Sequence, residues 1–297
     1  MKKYLALDLG GTFLKAAIID EDVNILDKWK VKSNVDNIDD LMKVFDEAVL
    51  GHTDDVEAIA MSLPGRMNVK DGIMETAGAF DSFLRGAHIV EMLEERYHLP
   101  VGIDNDAKCA TNAEIWKGVL SDCENGVVYV IGTGIGGGLE INHQVYRGSH
   151  FASGELSCIF RSYDEKPDGY NIMASHVATP ALLNSYKSNA NILEEVTGES
   201  FFEKVNSNDE VALATLREFC RVSAMYFYNI QVCLDADKIA IGGGISEQPK
   251  LLEMMNEELD KIYASYNGPS IRPEIVKCKY GNDANLIGAV KSYRDFH

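Results

Sequence analysis

The chain has 297 residues, 46% of them hydrophobic, enough for two domains with cores of their own. Lys and Arg number 28 against 46 Asp and Glu, a formal charge of −18 at pH 7, and a field of that sign repels nucleic-acid backbones and anionic membranes. No apolar stretch nears the roughly 20 residues that span a bilayer, and Gly10 interrupts the first apolar run, so neither a membrane anchor nor a signal peptide is expected. The six cysteines include no C-x-x-C pair, which argues against a zinc knuckle and for buried, reduced thiols in a cytoplasmic protein.

In chain order, Tyr4–Leu9 and Lys15–Asp20 read as a hairpin, followed by a strand at Ile25–Val31. Apolar residues recur with helical period over Asn37–Leu50, with Asn37 placed to cap. Val56–Leu63 is a strand ended by Pro64-Gly65, and Met67–Phe83 mixes short strands with loop. A helix over Gly86–His98 and a strand at Pro100–Asp104 precede a helix over Asn105–Trp116, capped by Asp104 or Asn105. Val127–Ile131 is a buried strand running into a glycine-rich turn. Helices are expected at Ala174–Ser188, Asn191–Glu195, Ser200–Val205 and Asp209–Leu234, the last with an apolar face through Leu213, Leu216, Cys220, Ala224, Phe227 and Ile230. A strand at Lys238–Ile241, a helix at Pro249–Ile262, a strand at Ile275–Cys278 and a helix at Asp283–Tyr293 complete an α/β pattern.

Three junctions run from an apolar strand into glycine: Asp8-Leu9-Gly10-Gly11-Thr12, Gly132-Thr133-Gly134 with Gly136-Gly137-Gly138, and Gly242-Gly243-Gly244. Residues without Cβ let backbone N–H groups converge on a phosphate, although a lone turn of this kind is equally an ordinary hairpin. The first two junctions echo one another, as two halves of a duplicated fold would. Asp8, ending a buried strand, is a turn-initiating residue or a Mg²⁺ ligand beside phosphates. In Asp104-Asn105-Asp106-Ala107, capping needs one residue, which leaves Asp106 to face a ligand and take a hydroxyl proton in a phosphoryl transfer. Glu155, after Gly154, is a surface residue or a further site.

These segments, with Ser62-Leu63-Pro64-Gly65, Tyr146-Arg147-Gly148 and Gly281 to Ala289, resemble the ROK (repressor, open reading frame, kinase) sugar kinases of the actin and hexokinase superfamily over essentially the whole length. The resemblance implies a two-domain actin-like ATPase (ribonuclease H-like) fold with a cleft between the domains. Residues 1–117 and 283–297 would form the small domain and 118–282 the large one. It implies an ATP-dependent kinase acting on a hexose, at the 6-hydroxyl, with Mg²⁺ and commonly as a homodimer. Asp106 would be the general base, with Gly65, Gly78, Asn105 and Glu155 at the sugar. Asp8, Gly10, Gly11 and Thr12, with Gly132, Thr133 and Gly134, would take the phosphates and metal, and Gly242, Gly243 and Gly244 the adenosine.

Two departures stand out. The family's Glu-x-Gly-His reads Glu155-Leu156-Ser157-Cys158, and Phe160–Tyr170 replaces the cysteine-rich zinc motif, so no structural zinc is expected. Both changes thin the contacts around the anomeric end of the sugar, so a β-glucoside or a disaccharide such as cellobiose is an expected substrate. Gly78 would make room and Phe80 would stack on a second ring. Alternatively Tyr163 or Tyr170 fills the space and glucose or an N-acetylhexosamine is preferred. A sugar-sensing regulator and a nucleotide-binding protein without turnover are the competing classes; a DNA-binding helix-turn-helix is not expected ahead of Tyr4.

Overall fold

The computed structural model describes residues 1–162 and 171–297, so the expected contacts of Tyr163 and Tyr170 lie outside the described residues. The chain divides into two compact units. The first is Met1–Ser121 with Gln144–Ser153 and Asn282–His297, and the second is Asp122–His143 with Gly154–Gly281. The first unit thus takes in the excursion Gln144–Ser153, which includes the short strand β10 (Gln144–Val145).

In the first unit, β1 (Lys3–Leu9), β2 (Phe13–Asp20) and β3 (Ile25–Lys32) form an antiparallel meander. On the other side of β1, β4 (Ile59–Leu63) and β7 (Val101–Asn105) add parallel strands, giving the order β3-β2-β1-β4-β7. β4 is buried at every position, as a central parallel strand must be, whereas the edge strand β3 is mostly exposed and carries three lysines. A small hairpin, β5 (Met67–Asn68) with β6 (Ile73–Met74), lies between β4 and β7 in sequence. Helix α1 (Ile38–Val49), capped by Asn37, packs on β2 and β3. The short α2 (Asp81–Leu84) and α3 (Ile89–Tyr97) precede β7, and α4 (Asp106–Lys117) follows it directly. The last helix, α10 (Ala284–Phe296), packs on α4 and over β1, β4 and β7.

The second unit repeats this plan. β8 (Asn125–Ile131) and β9 (Ile135–Ile141) form an antiparallel hairpin, β11 (Lys238–Gly242) lies parallel to β8, and β12 (Glu274–Lys277) parallel to β11. The duplication implied by the two glycine turns is therefore present in the strand order. Helices α5 (Ala174–Val177), α6 (Thr179–Asn189) and α7 (Gly198–Asn206) pack on the 25-residue α8 (Glu210–Leu234), which also packs on α9 (Pro249–Ser265). The expected α8 face lies in this core, with Leu213 only partly buried, and Tyr129 of β8 meets Phe227 edge-on at 5.1 Å. Among the described residues no helix is long and apolar enough to cross a membrane.

Several expectations fail for local reasons. Asn191–Glu195 is not helical: α6 stops at Asn189, and Asn191 adopts φ 53°, a left-handed conformation that asparagine tolerates and that ends a helix. Gly136, Gly137 and Gly138 belong to β9 and pair with Val130, Tyr129 and Val128, so they are not part of a phosphate turn. Four of the six cysteines are buried, but Cys158 and Cys233 are exposed.

Two features of the packing lead to measurable outcomes. A Cβ on Gly288 of α10 would stand 1.6 Å from the carbonyl oxygen of Cys109 in α4, so the two helices touch backbone to backbone there. Gly288→Ala should therefore destabilise the protein by roughly 1–3 kcal/mol as the helices are forced apart, read as a lower midpoint in chemical denaturation; an unchanged midpoint would show that the contact is slack.

Glu140 of β9 is 1% exposed, and neither carboxylate oxygen has a hydrogen-bond partner among the described residues. Burial, with the charges of Asp237 and Asp122 adding and Lys238 opposing, pushes its carboxyl from the ordinary 4.5 up to about 8. The unfolded chain releases this proton near pH 4.5 and the folded chain only near pH 8, so the group lowers stability progressively across that window and most above it. Glu140→Gln should be level with the wild type near pH 4.5 and more stable by about 2 kcal/mol or more at pH 9. Denaturation curves at the two pH values that run parallel for both proteins would contradict it.

Candidate active site

The site in the first unit is built on a row of polar residues at one register of the sheet. Lys15 of β2 pairs with Asp8 of β1, Asp8 with Ser62 of β4, and Ser62 with Asp104 of β7. Paired residues point to the same face, so a sheet that is otherwise apolar presents one polar line near the carboxyl ends of its parallel strands. Asp8 is 6% exposed. Its Oδ1 accepts from Ser62 Oγ at 2.9 Å and Asn285 Nδ2 at 3.0 Å, and its Oδ2 from Lys15 Nζ at 3.0 Å. A carboxylate offers about four acceptor positions, so one remains, on Oδ2. Just beyond, Gly11 and Thr12 form an exposed turn closed by the Gly10 N–H donating to Phe13 O at 3.0 Å, and Ser33 Oγ donates to Gly10 O at 2.6 Å.

The second focus is the entry to α4. Asn105 is the cap: its Oδ1 accepts from the N–H groups of Ala107 at 3.1 Å and Lys108 at 3.2 Å. Its Nδ2 donates to Gly65 O at 2.9 Å and to Asp106 Oδ1 at 2.8 Å. Those four bonds use the full capacity of a primary amide, so Asn105 is a fixed strut between the Gly65 loop and Asp106. Asp106, the first residue of the helix, is exposed, and Ala107 N–H also donates to its Oδ1 at 2.8 Å. Behind it, Asp104 is 1% exposed and accepts from Arg147 Nη2 and from Ser292 Oγ at 2.7 Å. Burial pushes the Cys109 thiol well above its ordinary value, with the charges of Asp104, Asp8 and Asp106 adding and that of Arg147 opposing.

Gly65 has φ +96°, and a Cβ there would lie 2.3 Å from Thr76 O, so only glycine lets this loop lie against residues 76–77. Gly78 is exposed, and a Cβ on it would meet nothing nearer than Pro64 Cβ at 3.5 Å, so there is open space beside it. Phe80 does not play the expected part: it is 3% exposed in the first core, edge-on to Phe83 at 6.0 Å, and offers no ring to a ligand.

In the second unit, Gly132 and Thr133 line a cavity of about 580 Å³ that also takes in Asn184 and Lys187 of α6, Glu195, and Gly244. Its walls mix aliphatic and polar groups, as a purine nucleoside requires. Of the three glycines assigned to adenosine, Gly244 alone lines this cavity. Gly242 ends β11 against Cys278, and Gly243 has φ +92° with Ile131 O 2.0 Å from where its Cβ would be. Gly134 closes the turn by accepting from Gly132 N–H at 3.0 Å. Glu155 is exposed at the start of a short 3-10 turn, Leu156–Cys158. It is placed by Gly137: a Cβ there would stand 2.4 Å from Gly154 O, so the glycines of β9 make way for the segment that carries Glu155. Among the described residues no cluster of three His, Cys, Asp or Glu side chains is arranged to hold a metal ion.

Lys15 and Ser292 were missed from the sequence, and Ser62, Asn285 and Arg147, which lie in the segments that carry the resemblance, were given no role; the structure sets Lys15, Ser62 and Asn285 around Asp8, and Arg147 and Ser292 around Asp104. Lys15 was findable, because a two-residue turn sets it opposite Asp8; the other contacts are tertiary.

The duplicated sheets and paired turns define the class, a two-domain α/β fold of the actin-like ATPases. A model of the ROK family matches residues 4–295, and the chain belongs to that family. The chain is 31% identical to a β-glucoside kinase of Klebsiella pneumoniae, covering 99% of this chain and 97% of that one. It is 32% identical to a β-glucoside kinase of Listeria monocytogenes, over 97% and 96%. A ROK family protein of Streptococcus pneumoniae, solved in complex with sucrose, superposes with a TM-score of 0.89 at 28% identity, over 99% of this chain and 98% of that one.

Proposed function

We propose that the protein is an ATP-dependent sugar kinase that transfers the γ-phosphoryl group to the 6-hydroxyl of a hexose and accepts β-glucosides. The observation that carries this is the agreement between a full-length match to ROK β-glucoside kinases and an exposed carboxylate, Asp106, held rigidly at a helix N-terminus. Asp106 would take the hydroxyl proton late in a loose transition state. Asn105 holds that base in place, and its saturated amide suits positioning better than direct sugar contact; Gly65 lets its loop lie against residues 76–77 and accepts from Asn105 at the edge of the sugar site, Gly78 leaves space for the sugar, and Glu155 would supply a carboxylate for its hydroxyls.

Asp8, Gly10, Gly11 and Thr12 in one unit, and Gly132, Thr133 and Gly134 in the other, would hold the phosphates, and the cavity at Gly244 the nucleoside, with Gly242 and Gly243 shaping its approach. Mg²⁺ bound with ATP would neutralise charge developing on the transferred group. Asp8 fits a contact through metal-bound water, since one acceptor position is left on it. We read the protein as cytoplasmic, as a homodimer and as needing no structural zinc.

Acceptance of β-glucosides is supported by the relatives' names, the open space at Gly78, and an exposed Cys158 where the family carries histidine. A thiol is a small, weak donor, so a blocked O1 leaves no strong buried partner unsatisfied. Methyl β-glucoside and cellobiose should be phosphorylated with kcat/KM within about a hundredfold of the best monosaccharide among glucose and N-acetylmannosamine, a gap of roughly 2.7 kcal/mol. Larger deficits for both would confine the enzyme to plain hexoses. Asp106→Asn should lower turnover by about 10²–10⁴ with ATP and sugar affinity within about tenfold. Full activity in that variant would remove Asp106 from the chemistry, and ATP binding without sugar-dependent turnover in the wild type would point instead to a sensor.

A further inference from the structure

Arg147 has no role in the reading above, yet its side chain is only 13% exposed and is held by several groups at once. Nη2 donates to Asp104 Oδ2 and, at 3.2 Å, to Ser292 Oγ; Nη1 donates to Val145 O at 3.2 Å; and the guanidinium lies 4.7 Å from the centre of the Phe296 ring. It sits in the excursion Gln144–Ser153, which departs from the second unit and ends two residues before Glu155. A second arginine, Arg66, donates to His150 O at 3.2 Å in the same excursion.

Asp104 passes the constraint on. Its Oδ1 accepts the backbone N–H of Asn105 at 2.9 Å, and Asn105 in turn holds Asp106 Oδ1 and caps α4. We propose that Arg147 is a positioning residue for phosphoryl transfer: by fixing the Asp104 carboxylate it fixes the Asn105 peptide and hence the orientation of the Asp106 base. The proposal rests on Asp106 being that base.

Without the guanidinium, Asp104 is a buried carboxylate with a lost cation and must shift toward water or a proton, and the acceptor that orients Asn105 shifts with it. A displacement near 1 Å at a catalytic group costs about a hundredfold in rate. An ion pair kept only for stability behaves differently, because exchanging both partners for neutral groups is often harmless.

The test uses the full chain with Arg147→Met, Arg147→Lys and the pair Arg147→Met/Asp104→Asn. Steady-state kinetics are read with sugar and with ATP varied, and hydrogen exchange is read at the Ala107 and Lys108 amides. The expected result for Arg147→Met is a kcat at least tenfold lower, KM for both substrates within threefold, and exchange of the two amides at least tenfold faster. Arg147→Lys should recover part of kcat, and the double variant should recover thermal stability but not kcat. A smaller loss of kcat, unchanged exchange, or kcat restored in the double variant would overturn the proposal. Should Arg147→Met not fold, Arg147→Lys carries the test, with kcat at least about threefold lower and exchange of the two amides at least about threefold faster. Should the wild type phosphorylate no sugar, the kinase reading fails on its own, and the exchange data still decide whether Arg147 holds the Asn105 cap.

Discussion

The first unit depends on how a buried sheet tolerates a polar row. Asp8, Ser62 and Asp104 stand side by side on three parallel strands, where apolar residues would otherwise fill the register. Two carboxylates this well buried are sustained only by donors, and α10 supplies one to each: Asn285 to Asp8 and Ser292 to Asp104. Those residues are seven apart, two helical turns, and so lie on one face of α10. Gly288, between them, brings that face down until the helix meets the Cys109 carbonyl. A chain end thus closes the unit by satisfying carboxylates that belong to its beginning and middle.

This explains why the C-terminal motif Gly281 to Ala289 accompanies the N-terminal glycine turn. Removing one donor would leave a buried acceptor short of a partner, a cost of about 1–3 kcal/mol, while removing the glycine would lift both donors away together. α4 shares the arrangement. Its residues from Ala107 to Ile115 are buried on every side, including Thr111 and Asn112, because the helix is enclosed rather than laid on a surface. Rigidity at its N-terminus, where Asp106 sits, follows from that enclosure.

Much of this was legible in the sequence. Strands showed as β-branched runs, α1 and α8 as helical periods, the cap at Asn37 as a side chain ahead of α1, and Asp104 or Asn105 as alternatives for the cap of α4, which is Asn105. The duplicated turns announced the duplicated sheets. Legibility ended where packing decided. Gly136 to Gly138 looked like part of a phosphate turn, but glycine also answers to close backbone approach, and at Gly137 the approaching group is the chain's own Gly154. Phe80 looked available for stacking because local pattern does not distinguish a core phenylalanine from an exposed one in a short irregular segment. Asn191 ended a helix that the surrounding residues would have extended. Arg147 stood in a quoted segment, Tyr146-Arg147-Gly148, but its contact with Asp104 and that of Ser292 could not be read, because they reach Asp104 from 43 and 188 positions away.

The charge balance ties the row to the proposed chemistry. Asp8 and Asp104 are the buried carboxylates of the row, and among the described residues Lys15 and Arg147 are the cations bonded to them. The row is thus balanced by its own lysine and arginine, in a chain whose net charge is −18. A polyphosphate entering such a field is repelled unless its own counter-ion comes with it, and a divalent cation reverses the local sign. Arg147 is turned inward on Asp104 and is not presented to phosphate, whereas Lys15 is the partly exposed partner of Asp8. Under the proposed kinase chemistry, a chain this acidic would favour the metal complex of a nucleotide over the bare anion, and Asp106, bonded to Asn105 Nδ2 and the Ala107 N–H, would be the group that takes the proton.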